Sequence, residues 1–175
     1  MDYMTKPASR QLLRVYAFYL RKLFGCTDIN APFDVLTALE MIASILPGTT
    51  VEIVEDNELP QNVPARCFPD SYGNFTITIK ESVYNGAYSQ QIGAYLGFMC
   101  HEICHVFLYK IGYTPVFSRS FKNNYVPAYR SVEWQTKALC GEVMMPYEAT
   151  KNMTEREIME KYHVSFGFAQ KRKTY

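Results

Sequence analysis

Apolar positions from 9 to 24 recur at spacings of three and four, through Leu12, Tyr16, Tyr19, Leu20 and Leu23. With Ser9 in front as a cap, this spacing predicts a helix. Its basic residues, Arg10, Arg14, Arg21 and Lys22, are expected on the wet face. A second helix is predicted over 33–46, where Val35, Leu39, Ile42 and Leu46 share one stripe and Pro47-Gly48 ends it. The period then shortens to two. Thr50-Val51-Glu52-Ile53-Val54 alternates, as does Asn74-Phe75-Thr76-Ile77-Thr78-Ile79-Lys80, with Ala65-Arg66-Cys67-Phe68 a weaker strand between them. Turn residues at Asp70-Ser71-Tyr72-Gly73-Asn74 join the last two, so a small twisted sheet is expected over 50–80.

Helical periodicity returns over 88–111, where the chain is apolar nearly all round, the mark of a buried helix. An aromatic-spotted loop follows over 113–130, long enough to suggest a functional role. Another helix is predicted over 131–145, stopping at Pro146. Two short helices close the chain, the first opened by the capping box Thr154-x-x-Glu157 and the second by Ser165. His163 reads as a residue at a helix end. Gly93 and Gly97, one turn apart, read as a site of close approach. The pattern implies an α+β fold in one domain over 1–175. Its parts are N-terminal helices over 1–48, a sheet over 50–80, buried helices over 88–146 and short helices over 154–175.

Composition narrows the function classes. Of 175 residues, 48% are hydrophobic and 20% charged, which excludes wholesale disorder. The formal charge is +1, so gripping nucleic acid through a basic surface is not the expected task. Lys171-Arg172-Lys173 reads as a solvated terminal run. No stretch has the roughly 18 uninterrupted apolar residues of a membrane span, and no secretory signal is apparent, so a cytoplasmic location is expected. The five cysteines are odd in number and suggest no disulfide framework.

One segment carries chemistry: Cys100-His101-Glu102-Ile103-Cys104-His105. Within it lies H-E-x-x-H on a helix. Positions i and i+4 share a face, about 6 Å apart at Cβ, so two imidazoles can close on one metal ion. Zinc takes His nitrogen at roughly 2.0–2.1 Å, while His and carboxylate ligands also suit manganese or iron. Glu102 is then placed beside the open coordination position, as a base for a bound water. Two of the three histidines of the chain lie here. Cys100 and Cys104 project about 100° round the helix from the histidines and read as packing residues, with a regulatory thiol as the alternative.

A catalytic zinc needs a third protein ligand. Glu133 and Glu142 both lie on the helix predicted over 131–145, and Glu148, Glu155 and Glu157 follow. Glu133 opens its helix after a long loop and precedes the stripe Trp134, Ala138, Gly141 and Met145. Spacing alone favours Glu133 only slightly and leaves Glu142 open.

His101-Glu102-Ile103-Cys104-His105, followed by the run from Glu133-Trp134-Gln135-Thr136 to Met145-Pro146, resembles the ImmA/IrrE family of metallopeptidases. That family pairs H-E-x-x-H with a later helix of the form E-x-x-A-x-x-F-A-x-x-L-L-M-P. Thr136 and Leu139 stand here for its Ala and Phe, and Cys104 for its frequent Gly, without touching a ligand position. Tyr162-His163-Val164-Ser165, with Ala169 and Arg172, resembles the family's ending.

The resemblance implies a zincin-like fold, with the sheet beside the H-E-x-x-H helix. It implies zinc on His101, His105 and Glu133, Glu102 as catalytic base, and Glu142 outside the ligand set. It further implies cleavage of a separate helix-turn-helix repressor of a mobile element or stress regulon. A binder of the repressor with a structural zinc, and a hydrolase of small substrates, are the competing classes. Tyr125, Tyr129 and Arg130 are candidates for a second oxyanion donor, and the strand at Phe75 to Ile79 for a sheet edge that accepts extended substrate.

Overall fold

The computed structural model describes residues 2–115 and 126–174. Helix α1 (Arg10–Leu23) starts at Ser9, whose side chain accepts from the Leu12 amide, and α2 (Val35–Ile45) starts at Asp34, which accepts from Thr37. Three strands follow, β1 (Thr49–Val54), β2 (Ala65–Pro69) and β3 (Phe75–Lys80). The helices α3 (Glu81–Gln90), α4 (Gly93–Lys110) and α5 (Val132–Met144) come next. The one-turn α6 (Tyr147–Thr150), α7 (Glu155–Tyr162) and α8 (Phe166–Thr174) end the chain. Thr154 and Glu157 form the expected capping box, and the Phe168 amide reaches Ser165 Oγ. His163 is the left-handed residue ending α7.

The sheet order is β1-β3-β2, with β1 parallel and β2 antiparallel to β3. This corrects the expectation for Phe75 to Ile79, which form the central strand. Alternation reports which face a residue takes, but not which neighbours the strand pairs with. Phe75, Ile77 and Ile79 are all buried, as suits the strand with a neighbour on each side. The edge next to α4 belongs to β2, the weakest strand in the sequence pattern.

The apolar stretch expected as one helix over 88–111 folds as two, bent by 120° between α3 and α4. Gln91 takes φ 50°, a left-handed conformation that ends α3. The corner is close-packed: a Cβ on Gly86 would lie 2.6 Å from the Tyr95 ring. At Gly93 a Cβ would meet the backbone of residues 163–165 at 2.5–2.7 Å, which is the close approach the glycine pair suggested. No single helix among the described residues is long and apolar enough to cross a membrane.

The basic residues of α1 depart most from expectation. Arg21 is buried, and its guanidinium donates to the Val143 carbonyl at 2.6 Å, Asp28 at 2.7 Å and Ala31 at 2.8 Å. Val143 is in the last turn of α5, where carbonyls lack helical partners, and the five-donor fork of arginine is suited to collecting them. Arg14 stacks over Tyr147 and donates to Glu142 at 3.2 Å. Arg172, from the supposed solvated run, is also buried and grips Glu142 bidentately at 2.8 and 3.3 Å. Glu142 is thus a buried anion between two arginines. The face of α5 that packs inward is accordingly centred on Thr136, Leu139, Cys140 and Val143, while Trp134 and Gly141 stay partly exposed.

Because both partners of the Glu142–Arg172 pair are buried, removing one leaves the other without compensation. Glu142→Ala should cost about 3–5 kcal/mol of stability, measured by urea denaturation. The metal content of the purified variant should stay unchanged.

Candidate metal centre

Helix α4 holds His101 and His105 on one face, with ring centroids 4.5 Å apart and planes at 89°. Their Nε2 atoms approach to 2.9 Å. Glu133, in the first turn of α5, reaches both: Oε1 lies 3.3 Å from His105 Nε2 and Oε2 3.6 Å from His101 Nε2. These three residues converge, and Glu142 is engaged elsewhere.

The donor set fits a metal ion. Tetrahedral ligands each about 2.0–2.1 Å from zinc lie about 3.3 Å from one another, and the observed 2.9, 3.3 and 3.6 Å bracket that separation. The carboxylate is ready to ligate, because His101 and His105 beside it hold Glu133 below the usual carboxylate range.

A hydroxyl fixes the tautomer of one imidazole. Thr136 Oγ1 lies 2.8 Å from the Val132 carbonyl and 3.1 Å from His105 Nδ1. The hydroxyl has one proton, which the carbonyl must receive. Thr136 therefore accepts from His105 Nδ1–H, and the Nε2 lone pair is left facing Glu133 and His101. In the sequence Thr136 stands only as a departure from the family's Ala. Its spacing was a usable signal, since i+3 from Glu133 places it on the same face of α5.

The chain's beginning positions Glu133. Ser131 caps α5, accepting from the Trp134 amide at 2.8 Å and donating to Asp2 Oδ2 at 2.5 Å. Asp2 Oδ1 accepts from the Glu133 amide at 3.2 Å, and the Tyr3 carbonyl from the Val132 amide at 3.0 Å. Buried Gln135 ties α5 to the Lys6 and Tyr129 carbonyls. Nothing in the local pattern at Asp2 announces a contact 131 residues away.

Glu102 lines the same cleft, of about 290 Å³, but stands outside the converging ligand group. The whole of β2 forms one wall. Its Cys67 faces Glu102; burial, then the charge of Glu102, pushes the thiol far above its ordinary range, so it stays un-ionised there. Of the candidate oxyanion donors, Tyr125 lies outside the described residues. Tyr129 and Arg130 do not line the cleft; their carbonyls accept from Ala8 and Thr5. Tyr109 and Tyr113 do line it, with the Tyr113 hydroxyl 3.3 Å from that of Tyr16.

Residues 97–174 match the family model described as the IrrE N-terminal-like domain of peptidase family M78. The match spans His101, His105 and Glu133. No curated protein matches the chain.

Purified protein should hold about one metal ion per chain, and His101→Ala, His105→Ala or Glu133→Ala should each remove most of it by elemental analysis. Loss of an outer hydrogen bond to a ligand typically costs about 10–100-fold in metal affinity. Thr136→Val should show that loss in a chelator competition, and Thr136→Ser should restore affinity.

Proposed function

With residues 97–174 carrying the IrrE N-terminal-like domain of the ImmA/IrrE metallopeptidase family, we propose that this chain is a zinc-dependent endopeptidase of the cytoplasm. Its proposed substrate is a separate helix-turn-helix repressor of a mobile element or stress regulon. The observation that carries the reading is the convergence of three ligand atoms in a cleft that also holds a non-ligating carboxylate.

His101, His105 and Glu133 would hold the zinc, which when bound acidifies a water molecule and polarises the scissile carbonyl. The remaining work falls to the chain itself. Glu102 accepts the proton of the attacking water and returns it to the leaving nitrogen. Its burial keeps bulk water from competing for that proton. Thr136 keeps His105 in the tautomer that presents Nε2 to the ion.

Substrate binding is assigned to β2. Among the described residues it is an edge strand, it walls the cleft, and an extended peptide can pair with the side that no described strand occupies. A cleft beside a strand edge suits a protein segment better than a small closed-in substrate. Arg66 and Phe68 stand on the outer face of β2, away from the inward Ala65 and Cys67, and are placed to contact flanking residues of such a segment.

Glu102→Gln separates catalysis from recognition. The amide keeps the shape but cannot take the proton, and loss of a general base costs about 10²–10⁴ in rate. The variant should retain metal and fold while repressor fragments vanish from a gel. Unchanged cleavage by a metal-loaded Glu102→Gln protein would rule out the mechanism. Equal relief of repression by both forms, with no cutting by either, would make the chain a binder.

A further inference from the structure

Behind the metal face of α4 lies a second cluster. Cys100 and Cys104, one turn apart on α4, meet Cys140 of α5, and the three sulfurs lie within 4.8 Å of one another. All three are free thiols and all are buried, at 0%, 0% and 2% exposure. Among the described residues no fourth His, Cys, Asp or Glu joins them. We propose that Cys100, Cys104 and Cys140 form a site for a trivalent thiophilic metalloid, with arsenite as the representative ligand. This site is independent of the peptidase reading.

Geometry permits the site. An equilateral triangle of sulfurs at that limit has its centre about 2.8 Å from each; a pyramidal trivalent centre with bonds of about 2.3 Å brings its sulfurs to about 3.4 Å apart, a shift of about 0.8 Å per side chain. Coordination number and charge select the ligand class. Zinc in a structural site takes four protein ligands, and here there are three. Three thiolates around a divalent ion carry a net negative charge, and around monovalent copper a larger one. Burying such a charge is costly, and Arg21, whose charge reaches Cys100, is already engaged by the Val143, Asp28 and Ala31 carbonyls. A trivalent metalloid with three thiolates is neutral and needs no fourth ligand.

The chemistry balances without an oxidant. Arsenous acid, As(OH)₃, reacts with three thiols to give one As(S–Cys)₃ group and three waters. Three As–O bonds break and three As–S bonds form, each thiol proton leaves on an arsenic hydroxyl, and arsenic stays trivalent. A route to the cluster exists as well. Cys140 borders an apolar pocket of about 600 Å³ walled by Gly97, Phe98, Trp134 and Phe168, through which the uncharged acid can pass. Cys104 adjoins His105, and Cys140 lies one turn beyond Thr136, so contraction of the three sulfurs acts on both helices that bear the metal ligands.

The test uses the full chain, reduced and zinc-loaded, incubated with arsenite and desalted. Elemental analysis should find one arsenic per chain, with zinc retained and three fewer titratable thiols. Cys26→Ser/Cys67→Ser should keep that stoichiometry, while Cys100→Ala, Cys104→Ala and Cys140→Ala should each lose the arsenic. X-ray absorption on the wild-type adduct should count three sulfur neighbours, a measurement that needs no variant to fold. No arsenic after desalting, retention in the Cys140→Ala protein, or two sulfurs and an oxygen around arsenic would each overturn the proposal. Uptake matched by loss of zinc and abolished in His101→Ala would place the arsenic at the other site, and uptake of a second zinc by the untreated cluster would favour a divalent ion. Either result also overturns it.

Discussion

The site depends on one junction: the first turn of α5 held against the middle of α4. His101 and His105 come together by helix geometry alone, but Glu133 is presented to them only because α5 is fixed in place. A carboxylate displaced by an ångström or two would leave two histidines and an open face. The fixation is polar at the start of the helix. Asp2, Ser131 and the Tyr3 carbonyl occupy the amides that a helix N-terminus leaves unsatisfied. Thr136 then crosses from α5 to the Nδ1 atom of His105, so the helix that supplies one ligand also orients another.

The far end of the same helix is held differently. Arg21 gathers the Val143 carbonyl together with carbonyls of the loop after α1, and Glu142 is clamped by Arg14 and Arg172. These are buried charges, and by themselves they contribute less to net stability than apolar packing of the same volume would. Their geometry is directional, however. Bidentate contacts fix the far end of α5 in one orientation, whereas Glu133 at the near end is held by Asp2, Ser131 and the Tyr3 carbonyl. Between the two ends the helix is packed by Leu139, Cys140 and Val143, all buried. The cysteine cluster lies in this packed middle, so chemistry at sulfur would be transmitted to both helices.

Strand order gives the cleft its shape. With β3 in the centre, the outer edge next to α4 falls to β2, a short strand with exposed Arg66 and Phe68 and inward Ala65 and Cys67. A cleft bounded by a strand edge on one side and by the Glu133 turn on the other has the form that an extended chain fills. The un-ionised Cys67 adds no charge of its own to the wall beside Glu102.

The H-E-x-x-H pair was legible because i, i+4 geometry is local: spacing fixes the side-chain direction whatever the rest of the chain does. The same holds for the caps at Ser9, Thr154 and Ser165, the glycine approach at Gly93 and the two-residue period of the strands. The family resemblance singled out Glu133, which spacing favours only slightly over Glu142. What needed the folded chain was every relation between distant segments. Arg21 and Arg172 looked solvent-bound because a charged residue carries no sequence sign of the carbonyls or carboxylate that will meet it. The bend at Gln91 follows the polar Ser89-Gln90-Gln91, a run that fits one exposed helical turn as well as it fits a break. The order of strands, the reach of Asp2 to α5, the tautomer set by Thr136 and the meeting of Cys140 with Cys100 and Cys104 belong to tertiary structure alone. Sequence periodicity encodes the direction of a side chain from its own backbone; the partner it finds is decided by packing across tens of residues.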